Sequence, residues 1–127
     1  MMANDLYKDN LILNLSLDFS VDIIAYSEQL VEEKKIVLAR QILASGTSFG
    51  ANSMEAQNAE SNRHFVSKFK IALREADETA YWLTLCERAP TYPNPPITLR
   101  NQLDSIIKII NKIINKIISS KKSKMDK

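Results

Sequence analysis

The chain of 127 residues contains only two glycines, Gly46 and Gly50. They stand one helical turn apart inside Ser45-Gly46-Thr47-Ser48-Phe49-Gly50-Ala51-Asn52-Ser53-Met54-Glu55-Ala56-Gln57. So little glycine argues against an all-β fold, which needs many turns. The flanking sequence repeats apolar residues at helical spacing, so the segment itself reads as helix. A glycine in a helix interior costs roughly 1 kcal/mol against alanine. The usual offset is backbone approach closer than a larger side chain would permit. A phosphate-binding loop does not fit: no Gly-Lys-Ser/Thr is present and no strand precedes. The segment is expected to be a close helix–helix contact around which the chain folds.

The periodicity predicts four helices, over about 16–33, 36–58, 62–88 and 98–120. The first is expected to start at Ser16, an N-cap candidate with Asp18 in the first turn. Its face is Phe19, Ile23, Tyr26 and Leu30, while Leu11, Ile12 and Leu13 form a lead-in. The second helix carries Leu38, Ile42, Ser45, Phe49, Asn52 and Ala56 on one stripe. Ser61 is the expected cap of the third, whose seam is Phe65, Phe69, Ala72, Ala76, Thr79, Leu83 and Cys86. Ala72 and Ala76 are small and are expected to face Gly46 and Gly50. Residues 89–96 hold all four prolines and form a stiff crossover. The fourth seam is Leu99, Leu103, Ile106, Ile110, Ile113 and Ile117. Its surplus of isoleucine suggests that a second subunit covers part of it. The expected architecture is all-α, an antiparallel up-down four-helix bundle in a single domain, with residues 121–127 a disordered charged tail.

At this length a single core buries most of its apolar surface. No apolar run reaches the ~18 residues of a membrane span. The first ten residues lack the shape of a secretion signal, and the lone Cys86 allows no internal disulfide. A cytoplasmic protein without membrane contact is expected. Residues 97–127 carry eight Lys/Arg against two Asp/Glu, and residues 1–96 carry nine against thirteen. This asymmetry is ordinary in a solvated bundle or between attracting subunits, and it also suits nucleic acid. Lys108, Lys112 and Lys116 make a basic ridge, with Lys121 and Lys122 beyond, as candidate nucleic-acid contacts.

Catalytic patterns are missing. A di-iron bundle needs Glu-x-x-His on two helices, whereas the only histidine, His64, follows Glu60 at the wrong spacing. Ser45 and Ser48 have no activating context, and Cys86 reads as a core thiol. No enzyme activity, metal or cofactor is expected.

Arg40-Gln41-Ile42-Leu43, the glycine segment, Glu55-Ala56-Gln57 and Ala59-Glu60-Ser61 form an ordered motif. It continues through Phe65, Lys68, Ile71-Ala72-Leu73, Glu75, Glu78-Thr79 and Tyr81-Trp82-Leu83. This pattern resembles the bacterial four-helix-bundle family whose members include proteins encoded in intervening sequences of 23S ribosomal RNA genes. It covers residues 14–88 well and the fourth helix only by length and pattern. The resemblance implies an up-down bundle and a homo-oligomer, with a ring-shaped homopentamer favoured. A related branch, the accessory protein of diversity-generating retroelements, contacts nucleic acid and a reverse transcriptase. The family supplies no catalytic residues to carry over. It gives Arg40, Asn52, Glu55, Glu60, Lys68, Glu75 and Glu78 a reading as a polar network within or between subunits, against the alternative of independent surface charges. Ala44 and Asp77 stand where the family commonly has basic residues, so nucleic acid would have to use the last helix and tail. Two functions follow: an oligomeric scaffold or adaptor with an unidentified protein partner, or a nucleic-acid-binding accessory protein.

Overall fold

The computed structural model describes residues 10–125, and the side chains of residues 10–120. Four helices follow one another: α1 (Leu11–Glu32), α2 (Ile36–Ala56), α3 (Asn62–Arg88) and α4 (Ile97–Met125). Each packs against its chain neighbours, and α1 also packs against α4; neither diagonal pair touches among the described residues. This closed square with short connections is the up-down bundle that the periodicity predicts.

The start of α1 differs from expectation. Asn10, not Ser16, is the N-cap, and its side chain accepts from the Leu13 amide at 3.3 Å. The physical reason is the apolar repeat, which runs back through Ile12 and keeps the same spacing. Ser16 therefore falls on the buried seam, 2% exposed, instead of at the helix end. Asn10 also donates to Gln57 Oε1 at 3.2 Å, tying the start of α1 to the end of α2.

Between α1 and α2 the chain turns on Lys34, whose φ of 63° is left-handed. The Lys35 amide donates to Leu30 O and the Lys34 amide to Val31 O, at 2.8 and 2.9 Å. These are the two bonds of a Schellman cap, here built without glycine. Ser61 caps α3 as expected, accepting from the His64 amide at 3.1 Å. The proline-rich loop is held from below, because the Tyr26 hydroxyl donates to Pro93 O at 2.7 Å. Lys35 Nζ lies over the Tyr92 ring, 5.1 Å from its centre. α4 continues through residues 121–125, which composition marks as disordered tail; the last two residues lie outside the described ones.

The core is one cluster centred on Phe19, Phe49, Phe69, Leu83, Leu103 and Ile106, all fully buried. Phe19 and Phe49 meet with ring centres 5.3 Å apart. On α4 the buried seam passes from Ile110 to Ile114, leaving Ile113 and Ile117 only half-buried. Among the described residues, no helix is long and apolar enough to cross a membrane.

The glycines face α1, not α3. A Cβ on Gly46 would stand 3.0 Å from Ile23 Cγ1, and one on Gly50 3.1 Å from Ser16 Cβ. Neither glycine has positive φ, so close approach is what demands them. The expected pairing with Ala72 and Ala76 is thus corrected. Both alanines are fully buried on α3, but α2 turns its glycine edge to α1.

Candidate functional site

Helix α2 is gripped on two sides. Toward α1 it presents Gly46 and Gly50. Toward α3 it presents Ser45, whose hydroxyl meets Thr79 Oγ1 at 2.9 Å with both residues buried. Each hydroxyl also reaches the carbonyl one turn back, Ser45 to Gln41 O at 3.0 Å and Thr79 to Glu75 O at 2.8 Å. Two hydroxyl protons therefore serve three oxygen pairs. The cross-helix bond and one backbone bond are satisfied together, in either of two arrangements. Such a pair fixes the register of α2 against α3 and leaves no nucleophile free.

The seven polar residues singled out by the sequence separate. Glu55 and Lys68 form an ion pair at 3.6 Å between α2 and α3, with side chains 59% and 26% exposed. Exposure of that degree makes the pair worth at most about 1 kcal/mol. Asn52 is half-buried but bonds within its own helix, donating to Ser48 O at 3.0 Å. Glu75 is half-buried, while Glu60 and Glu78 are exposed. Arg40 is not at the α2–α3 seam. It borders a groove on the opposite edge of α2, together with Glu28 and Glu32 of α1. Among the described residues, Glu55–Lys68 is the one ion pair within this set.

Tyr26 and Cys86 meet in the core beneath the proline loop. Burial first, and the hydrogen bond they share second, push the Tyr26 phenol far above its ordinary range. Burial also pushes the Cys86 thiol up, with Glu87 adding to the effect and the Tyr26 bond opposing it. A buried thiol with a raised pKa is a packing group. Among the described residues, no three His, Cys, Asp or Glu side chains converge as a metal site would need.

Two surface features escaped the reading of the sequence. The first is an apolar face on α1 and α2. Leu17, Val21, Ile24 and Val31 follow one another at helical spacing on α1, and Ile24 and Val31 share a groove with Ile36 and Leu43 of α2. All six are between 38% and 59% exposed. Its upper part is an open groove of about 620 Å³ lined also by Ser27, Glu28 and Glu32. The second is a groove of about 470 Å³ between α3 and the end of α4. Arg63, Lys70 and Arg74 rim it, and Val66, Ile71, Ile117 and Ile118 supply its apolar lining. The signal for both was there: a second stripe at 4-3-7 spacing on α1, and cations at 7-4 spacing on α3. Lys108, Lys112 and Lys116 lie exposed on α4 outside this groove, and the side chains of Lys121 and Lys122 lie outside the described ones.

Residues 8–115 match the family described as 23S rRNA-intervening sequence protein. The chain belongs to that family. It is also similar to a crystallised protein of unknown function from the S23 ribosomal protein family of Bacteroides thetaiotaomicron VPI-5482. The two share 42% identity at a TM-score of 0.79, over 85% of this chain and 98% of that one. No protein of curated function matches. The family match extends past the strong motif and well into α4, so the last helix belongs to the shared unit. In this member of the family, the signature segment is the helix clamped from both sides. Its glycines admit α1, and its Ser45 is bonded to Thr79.

Proposed function

We propose that the protein is a non-enzymatic homo-oligomer that acts as a scaffold or adaptor, with five subunits the favoured number. The observation that carries this is the outward face of α1 and α2. Six large aliphatic side chains on these helices are each at least 38% exposed, and four of them, Ile24, Val31, Ile36 and Leu43, line one groove. Scattered exposed leucines are ordinary, but a contiguous patch of this kind marks a surface that is covered in the working state. The family resemblance favours a ring, and the expected protein partner would bind the assembled form.

Light scattering on the full chain tests the reading. The expected mass is about five times the 14.4 kDa protomer. Replacing Val21 and Ile24 by Ser should lower that mass while leaving helix content unchanged, since both side chains point outward. A monomeric unmodified protein would remove the proposal.

A second reading rests on Lys108, Lys112 and Lys116. They are exposed on successive turns of α4, and none has a carboxylate partner among the described residues. A nucleic-acid-binding accessory protein would use them as phosphate contacts, salt-sensitive and largely indifferent to sequence. A salt titration with generic RNA and DNA separates the two readings. Binding that weakens steeply with salt and is lost in K108E/K112E/K116E supports the second. No binding at low salt removes it.

A further inference from the structure

We infer that the α1 face of one protomer docks into the α3–α4 groove of a second copy of this chain. This rests on the oligomeric reading above and names the two surfaces that meet. The occupant follows from charge. α1 carries Asp18, Asp22, Glu28 and Glu32 and no Lys or Arg. Glu28 and Glu32 border its outward groove, while Asp22 turns to α4 and accepts from Gln102 at 3.0 Å. The first half of α3, residues 62–74, carries no Asp or Glu. Arg63, Lys70 and Arg74 rim the α3–α4 groove, and Lys68 is turned to Glu55 of α2. Each surface joins apolar side chains to charge: the α3–α4 groove is rimmed by cations alone, and the α1 stripe is bordered by Glu28 and Glu32, with Arg40 on the α2 side of the groove. On α1 the exposed stripe Leu17, Val21, Ile24 and Val31 runs beside Glu28 and Glu32. In the groove, half-buried Val66 and Ile117 and exposed Ile118 lie between Arg63, Lys70 and Arg74. An acidic amphipathic helix laid into an apolar groove with a basic rim buries both stripes and pairs both sets of charges.

A two-fold contact through either surface would do the opposite. It would set Glu28 and Glu32 against their own copies with only Arg40 as a counter-charge, or Arg63, Lys70 and Arg74 against theirs with none, and like charges across an interface cost several kcal/mol. The two surfaces lie on opposite sides of the square bundle, since α1–α2 and α3–α4 are its facing edges. The contact is therefore head-to-tail, the kind that propagates to a closed ring when the rotation returns on itself. Ser27 fits the same picture. It is 4% exposed at the floor of the α1–α2 groove, and its hydroxyl has no hydrogen-bond partner among the described residues. A guanidinium or ammonium reaching in from the neighbour would supply one.

The test is charge exchange on the full chain, read as solution mass by light scattering. One variant is E28K/E32K, a second is K70E/R74E, and a third carries all four changes. The four side chains are exposed, so circular dichroism should be unaltered in each. Either pair alone should weaken self-association by roughly 100-fold, because two attractions become repulsions. The fourfold variant should regain the mass of the unmodified protein, since the charges have merely changed sides. Three results overturn the docking while the oligomer survives. They are unmodified mass in both paired variants, loss in only one of them, and failure of the fourfold variant to reassemble. A monomeric unmodified chain removes both the docking and the oligomeric reading.

Discussion

Gly46→Ala sets helix propensity against packing, and the geometry decides the sign. In an open helix the change should stabilise by about 1 kcal/mol, because alanine is the better helix former. Here the new methyl would stand 3.0 Å from Ile23 Cγ1, 3.4 Å from Ile23 Cγ2 and 3.5 Å from Phe19 Cε1. Ile23 is fully buried, and its branched β-carbon allows few rotamers. Phe19 is fully buried too and tilts against Phe49, so neither neighbour has free space to enter. Relief must come from moving α1 away from α2 by a few tenths of an ångström. Overpacking of this kind costs about 1–3 kcal/mol. The net expectation is a loss of about 1–2 kcal/mol. In urea unfolding followed by circular dichroism, this lowers the midpoint by about 0.5–1 M. All variants are compared at one protomer concentration, because self-association adds to apparent stability. A double-mutant cycle makes the assignment specific. Ile23→Ala alone should cost about 2–5 kcal/mol, and in the Gly46→Ala background it should cost about 1–2 kcal/mol less. A raised midpoint for Gly46→Ala, or strict additivity with Ile23→Ala, would refute the close contact with α1.

Further predictions follow from the other contacts. Thr79→Val should cost about 1 kcal/mol by removing the bond to Ser45, and Ser45→Ala added to it should cost little more; additive losses would mean that the two hydroxyls do not act as a pair. Lys34→Gly should raise the unfolding midpoint by the equivalent of about 0.5–1 kcal/mol, because a left-handed φ of 63° is free of strain only in glycine. The Tyr26 and Cys86 pKa values are raised on folding, so the native state holds their protons longer than the unfolded chain does. Stability should be fully present at neutral pH and should fall above about pH 8.5, where an unburied thiol ionises, by about 1.4 kcal/mol per pH unit for each group engaged. Cys86→Ala should flatten the first part of that decline, and an unchanged slope would contradict the assignment.

Most of the fold could be read from spacing. The third helix, its Ser61 cap and the proline crossover stand where periodicity and proline chemistry put them. The start of α1 did not, because Ser16 satisfies the rules for a cap and also those for a small residue at a tight helix contact. Only the packed structure tells the two apart, by setting Gly50 against it. The same ambiguity misdirected the glycines. A small stripe on α2 marks a close neighbour without saying which, and Ala72 and Ala76 of α3 offered as good a match as Ser16 and Ser20 of α1. Among candidate site residues, Arg40 misled for a related reason: its position in the motif says nothing about which edge of α2 it occupies. The apolar face and the basic groove each leave a pattern on one helix, the second stripe of α1 and the cations of α3. The partner lining comes from a helix distant in the chain or across a turn, so only the packed structure joins them into surfaces.

The central claim is that this bundle works as an assembly of identical chains. Sedimentation of the full chain over a wide range of protomer concentration tests it most directly. The account predicts one dominant species, a fixed multiple of 14.4 kDa and near five, that persists on dilution to the micromolar range. A single species of one protomer mass at every concentration would contradict it.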